Sequence, residues 1–182
     1  LGFRAAGVKA GIKPSGGHDV GLLVCDAPGA VSAARFTRSG VQAAPVLVTR
    51  ERCRLDALRA IAVNAGNANA ATGSQGYQEA ARMQGAGAMC AGVGEDQVAV
   101  CSTGVIGVQL DGRAIVKGLS AAREELRADG DEDLQLAIMT TDLFQKRATL
   151  EVDLPGGTVR LSAQAKGAGM IQPSFATMLC FV

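Results

Sequence analysis

A chain of 182 residues is long enough for one well-formed core or one large domain. Hydrophobic residues make up 48% and charged residues 19%, which excludes a disordered chain, and no apolar run reaches the roughly 18 residues of a membrane span. A net charge of +1 with 3% aromatics and no Trp leaves neither a basic stripe nor a stacking platform, which argues against nucleic acid as a partner.

The first strand expected is Val20–Cys25, followed by the turn Asp26-Ala-Pro-Gly29 and a second strand over Val31–Phe36. Pro45–Thr49 and Arg59–Val63 read as two more short strands. An Ala-rich helix is expected over 74–92, starting near Thr72 to Ser74. Gly85 and Gly87 weaken it by about 1 kcal/mol each relative to Ala, so close packing is the reason to expect them there. Gln97–Cys101 reads as a buried strand.

The clearest helix spans 111–128. Asp111 can cap it, and Ile115, Leu119, Ala122 and Leu126 share one face. Ala128-Asp-Gly130 ends it, and a short helix from about Asp131 to Met139 leads into Thr140-Thr-Asp142. Two alternating strands, 147–153 and 158–164, flank the hairpin signal Leu154-Pro-Gly-Gly157. This mixed order predicts one α/β domain with a mixed sheet rather than a regular βαβ repeat.

The five cysteines form no C-x-x-C pair, and there is one histidine, so a Cys/His zinc site is poorly supported. Most of the thiols sit among apolar residues and read as buried free thiols of a reducing cytoplasm. The start, Leu1-Gly-Phe-Arg, lacks a signal-peptide core. Gly85-Ala-Gly-Ala and Gly167-Ala-Gly-Met are not dinucleotide fingerprints, and no Walker-type lysine motif occurs.

The end of the chain carries the chemistry. Lys166-Gly-Ala-Gly-Met170 and small residues up to Ala176 lead into Thr177 and a short apolar run. A threonine hydroxyl is a weak nucleophile unless a base sits beside it. Cutting the chain just before the Thr makes its own α-amine, which titrates near ~8, available as that base. Composition alone also permits a plain glycine turn feeding a buried strand.

Four further segments precede Ala176-Thr-Met-Leu179 in fixed order: Asn64-Ala-Gly-Asn-Ala-Asn-Ala-Ala-Thr-Gly73, Cys101-Ser-Thr-Gly-Val-Ile-Gly107, Ala137-Ile-Met-Thr-Thr-Asp142 and Lys166-Gly-Ala-Gly-Met170. With Gly2-Phe-Arg-Ala-Ala-Gly-Val8 and Phe36-Thr-Arg-Ser-Gly-Val-Gln-Ala-Ala-Pro-Val46, the chain closely resembles the N-terminal (α) half of the ornithine acetyltransferase (glutamate N-acetyltransferase) family of arginine biosynthesis. The resemblance covers essentially the whole chain.

It implies a layered α-β-β-α architecture completed by a second (β) chain of similar size. Residues 1–176 are then the α chain and 177–182 the start of the β chain. On that reading the sequence is an uncut or truncated precursor, or was assembled from ordered residues alone.

The resemblance further implies self-cleavage at Ala176-Thr177, with Thr177 as nucleophile and Thr103 and Gly104 as the oxyanion hole. Thr140, Thr141, Lys166 and Thr177 are the implied substrate contacts, with the choice between Thr140 and Thr141 left open. The implied substrates are N-acetylornithine and glutamate, in a cytoplasmic α2β2 or larger assembly. No metal or organic cofactor is implied, and use of acetyl-CoA as a second donor is not legible.

Without the resemblance, Cys101-Ser-Thr-Gly is a strand-exit turn, Lys166 a solvated loop charge and Thr-Thr-Asp an ST-turn device. Asn64, Asn67 and Asn69 support the loop or contact a ligand, and His18 carries no catalytic role. Leu143 and Gln145 stand where Thr and Pro are usual in the family, and Ser174 and Ser39 where Asn is common. Two rival readings remain: a self-cleaving N-terminal-nucleophile peptidase, and a non-catalytic module that binds a small amino acid.

Overall fold

The structure, a computed structural model, describes residues 2–169 and 177–182. Four strands form a mixed sheet in the order β1 (Phe3–Val8), β2 (Val20–Cys25), β3 (Ala60–Asn67), β4 (Val98–Val105). β1–β2 and β2–β3 are antiparallel and β3–β4 is parallel. A parallel pair needs a long crossover, which α2 (Gly73–Ala91) supplies.

Helices α1 (Ala44–Arg52), α2 and α3 (Gly112–Glu124) cover one face of this sheet. The core between them holds Val20, Leu22, Val24, Ala62, Val98 and Val100 from the strands and Val48, Met83, Ile115 and Leu119 from the helices. α2 lies close because it presents small residues: a Cβ on Gly87 would sit 3.1 Å from both Ala62 Cβ and Val98 Cγ1. α3 starts where expected, with the Asp111 carboxylate accepting from the Arg113 and Ala114 N–H groups at 3.0 and 3.1 Å.

The opposite face carries α4 (Asp131–Ile138) and the end of the chain. Leu134 and Ile138 of α4 pack with Ala5, Val63, Cys101, Leu179 and Phe181. A second, antiparallel sheet follows, in the order β5 (Lys146–Leu154), β6 (Gly157–Lys166), β7 (Leu179–Phe181). The mixed α/β class is therefore as expected, and the Leu154–Gly157 hairpin closes through Pro155 and Gly156.

Three expectations need correction. Pro45–Thr49 is not a strand but lies within α1, with Pro45 in the first turn, where a missing N–H is harmless. Val46, Val48 and Thr49 gave a β signal that tertiary packing overrides. Val31–Phe36 forms no strand. Val31 is 89% exposed, and Ser32 instead ties the segment to the 55–58 turn through Leu55 O and Leu58 N.

The helix expected to reach 128 stops at Glu124, because Arg127 exchanges backbone hydrogen bonds with Ala5 on the edge of β1. β1 itself gives almost no strand signal, since Phe-Arg-Ala-Ala-Gly-Val is poor in β-branched residues. The cysteines are free thiols, but none is fully buried as a residue and Cys180 is exposed. No helix among the described residues is long and apolar enough to cross a membrane.

Candidate active site

The C-terminal ends of the parallel strands β3 and β4 organise the site. Side chains alternate along a strand. Ala62 and Val100 face the helices, whereas Val63 and Cys101 face α4 and β7. Thr103, two residues beyond Cys101, therefore points to the α4–β7 side. It is 1% exposed, and its Oγ1 finds no hydrogen-bond partner among the described residues. An unpaired buried hydroxyl is costly unless something else engages it. On the same strand, burial pushes the Cys101 thiol up to about 12, so it is held protonated.

Gly104 follows with φ +134°. It pairs with Gly66 of β3, and a Cβ at this position would lie 2.6 Å from the Asn67 nitrogen. Only glycine fits, for both backbone conformation and close approach. Gly104→Ala is expected to lower stability by at least ~2 kcal/mol through strain and displaced backbone, read as a lower urea midpoint at unchanged slope.

The loop after β3 is self-supporting. Asn64 Nδ2 donates to Asn67 O at 2.9 Å, and Asn67 Oδ1 accepts from Asn69 N at 2.7 Å. Asn69 Nδ2 donates to Gly76 O at 2.8 Å, and Thr72 Oγ1 donates to Asn69 Oδ1 at 2.8 Å. Asn69 takes the left-handed conformation (φ +46°) that asparagine tolerates. The three asparagines thus support the loop. Ala68 N to Val105 O at 2.9 Å and Gly107 N to Ala70 O at 2.8 Å fasten it to the exit of β4.

The other side of the site is built around Lys166, at the end of β6. It is 5% exposed, and its ammonium donates to Thr140 Oγ1 at 3.0 Å. Burial lowers its pKa, partly opposed by the Asp142 carboxylate. Lys166 is therefore not a solvated loop charge, and it meets Thr140 rather than Thr141.

Asp142 gathers the segment. Its carboxylate accepts from Lys146 Nζ at 2.7 Å, Gly167 N at 2.8 Å and Thr140 N at 3.2 Å. Burial alone would raise this carboxyl, but those three bonds outweigh it and hold it at about 2, against an ordinary 3.8. A depressed folded-state pKa stabilises the fold above the unfolded value and is lost as pH falls through the folded one. Melting temperature should therefore drop between about pH 4 and pH 2, and Asp142→Asn should flatten that slope.

Thr177 is exposed and lies just before β7, whose Leu179 pairs with Lys166. Leu179, Phe181 and Cys101 all pack against the cluster that holds Val63, and Val63 and Cys101 come two residues before Ala65 and Thr103 on the same face. The fold thus puts Thr177, Lys166 and Thr103 on one side of the mixed sheet. Ala176, the other half of the expected cleavage bond, and Ser174 lie outside the described residues.

Two neighbours escaped the sequence reading. Asp19, fully buried, accepts from the Ala10, Ile12 and Lys13 N–H groups at 2.6, 2.6 and 3.0 Å. Lys13 Nζ donates to Leu136 O at 3.0 Å and to His18 O. A charged residue directly ahead of the apolar β2 run was the one available signal.

Fold and candidate site together describe a mixed α/β protein with Thr103 and Gly104 at the end of a parallel strand and the Thr140–Lys166 pair on the α4 side of that sheet. The chain belongs to the ArgJ family, whose model matches residues 4–182. It is 45% identical over 183 residues to the arginine biosynthesis bifunctional protein ArgJ of Symbiobacterium thermophilum, covering 100% of this chain and 45% of that protein. It is 46% identical over 185 residues to the Bacillus cereus protein of the same name, covering 100% and 44%. The chain thus spans somewhat less than half the length of these curated relatives.

Among solved structures, Bacillus halodurans ArgJ matches with TM-score 0.85 and 38% identity, over 98% of this chain and 91% of that one. Ornithine acetyltransferase from Mycobacterium tuberculosis, solved in complex with ornithine, matches with TM-score 0.86 and 37% identity, over 98% and 93%.

Proposed function

We propose that the whole protein transfers an acetyl group from N-acetylornithine to glutamate through an acetyl-Thr177 intermediate. Maturation comes first. Thr177 Oγ attacks the Ala176 carbonyl carbon, the Thr177 nitrogen leaves, and water opens the resulting ester. This yields an Ala176 carboxylate and a free Thr177 α-amine.

That amine then takes the proton of its own hydroxyl as Oγ attacks the acetyl carbonyl of N-acetylornithine. The oxyanion that forms is met by the Thr103 hydroxyl and the Gly104 N–H. Collapse returns the proton to the departing ornithine amine and leaves acetyl-Thr177. The glutamate amine attacks that ester in turn, giving N-acetylglutamate and regenerating Thr177.

One observation carries this reading most: a buried Thr103 hydroxyl with no partner among the described residues, beside a glycine that only a tight backbone approach explains, on the face toward β7. Lys166 and Thr140 suit a substrate carboxylate, as cation and hydroxyl donor. The ornithine bound in the Mycobacterium tuberculosis relative supports an amino-acid ligand.

A β chain of the same precursor completes the site on this reading, in an α2β2 or larger cytoplasmic assembly. The second sheet supports such a partner. Leu150, Val152, Leu154, Val159 and Leu161 share one face through the pairs Leu150–Leu161 and Val152–Val159, and they are 38–59% exposed. An alternating sheet with a bare apolar face is one that another surface covers.

The test is an acetyl-transfer assay on the product of the full-length gene. N-acetylglutamate formed from N-acetylornithine and glutamate supports the reading. Acetate or peptide release without transfer would favour the peptidase instead, and binding without either would favour the non-catalytic module. Acetyl-CoA, offered in place of N-acetylornithine, tests the second donor that the relatives' description as bifunctional suggests.

A further inference from the structure

The segment between β1 and β2 touches both sides of the site, and no role in the transfer has yet been given to it. It is rigid: Asp19 gathers three of its N–H groups, Asp19 N donates to Val8 O at 2.8 Å, and Asp19 O accepts from Ala65 N at 2.9 Å. The segment is thereby fixed to β3 immediately before Gly66.

From this platform Lys13 reaches in two directions. Its stem and the Ile12 backbone lie against Gly66, where an added Cβ would be 3.2 Å from Lys13 Cγ, Ile12 O and Ile12 Cγ2. Gly66 is in turn the close partner of Gly104. Its ammonium ends on Leu136 O, in the last turn of α4, and on His18 O. The last carbonyls of a helix lack partners within it and carry its negative end, so a cation is favoured there. Two residues after α4 ends comes Thr140, the partner of Lys166.

We infer that Lys13 is a positioning residue for the transfer reaction, fixing the spacing between the Thr103–Gly104 side and the Thr140–Lys166 side of the site. The inference rests on the acetyl-transfer reading above. One side chain links the two sides: its stem backs Gly66 of β3, the strand paired with the one that presents the oxyanion donors, and its charge pins the end of the helix that leads into Thr140. Catalysis depends on that distance, since a misplacement of about 1 Å can reduce rate on the order of 100-fold.

The experiment compares wild type, Lys13→Met and Lys13→Arg in the full-length, matured protein. Met keeps the stem and removes the ammonium, and Arg keeps a cation able to reach the same carbonyls. Lys13→Met is expected to lower kcat at least ~10-fold per matured site, with the KM for N-acetylornithine moving less than about threefold, and Lys13→Arg to recover part of the loss. Matured sites are counted by mass.

A wild-type kcat in Lys13→Met, even with a lower melting temperature, would overturn the inference and leave Lys13 as a helix cap alone. If Lys13→Met does not fold, Lys13→Gln carries the test with the same two outcomes. An inactive wild type would instead overturn the acetyl-transfer reading itself, which keeps the two failures apart.

Discussion

Replacing Thr177 by Ala in the full-length precursor is expected to give a single uncut chain and no detectable acetyl transfer. Both effects have one cause. In the proposed mechanism the Thr177 hydroxyl attacks Ala176 in maturation and the acetyl carbonyl in turnover, and methyl has no lone pair to offer. Thr177→Ser keeps the hydroxyl and should retain part of both activities.

Stability should not explain the loss. Thr177 is exposed ahead of a three-residue strand, outside both hydrophobic clusters, and exposed substitutions of this kind usually change stability by no more than about 0.5 kcal/mol. Intact mass and melting temperature on the same preparation separate the two. A Thr177→Ala protein still cut at this bond would sink the nucleophile assignment.

Thr103→Val carries the second large effect, and here activity and stability should part. Loss of one oxyanion donor lowers turnover by about 100- to 1000-fold. Yet the hydroxyl removed is buried and has no partner among the described residues, and an unsatisfied buried polar group is worth roughly 1–3 kcal/mol of destabilisation. Valine fills nearly the same space without that penalty, so the variant should melt at or above wild type. A strand-exit turn with no catalytic duty predicts the reverse pattern: unchanged kcat per matured site. Reduced stability with normal turnover would therefore remove Thr103 from the mechanism.

Local signals read well where one physical cause dominates. Asp111 ahead of an amphipathic stripe gave α3, and Pro-Gly-Gly between alternating runs gave the β5–β6 hairpin. Where two signals compete, sequence misleads. Pro45 marks a helix start, but Val46, Val48 and Thr49 suggest a strand, and only packing decides for the helix. β1 holds its place through pairing with β2 on one side and Arg127 on the other, neither visible in its own composition.

The site divides in the same way. Thr103, Gly104, Thr140 and Lys166 lie in compact motifs that carry a resemblance. Lys13 and Asp142 matter through contacts whose partners are scattered along the chain, Leu136 for one and Lys146 and Gly167 for the other. A lone lysine in a glycine-containing loop looks like a solvated charge until the fold brings a helix end to it.

The central claim is that Thr177 carries the acetyl group. The direct measurement incubates matured full-length protein with N-acetylornithine and no acceptor, then locates any adduct by intact mass and fragment sequencing. The account predicts a fragment beginning Thr177-Met-Leu that is heavier by one acetyl group, with the group on Thr177 and lost when glutamate is added. An uncut chain, or a matured protein with its acetyl group elsewhere or absent, would contradict it.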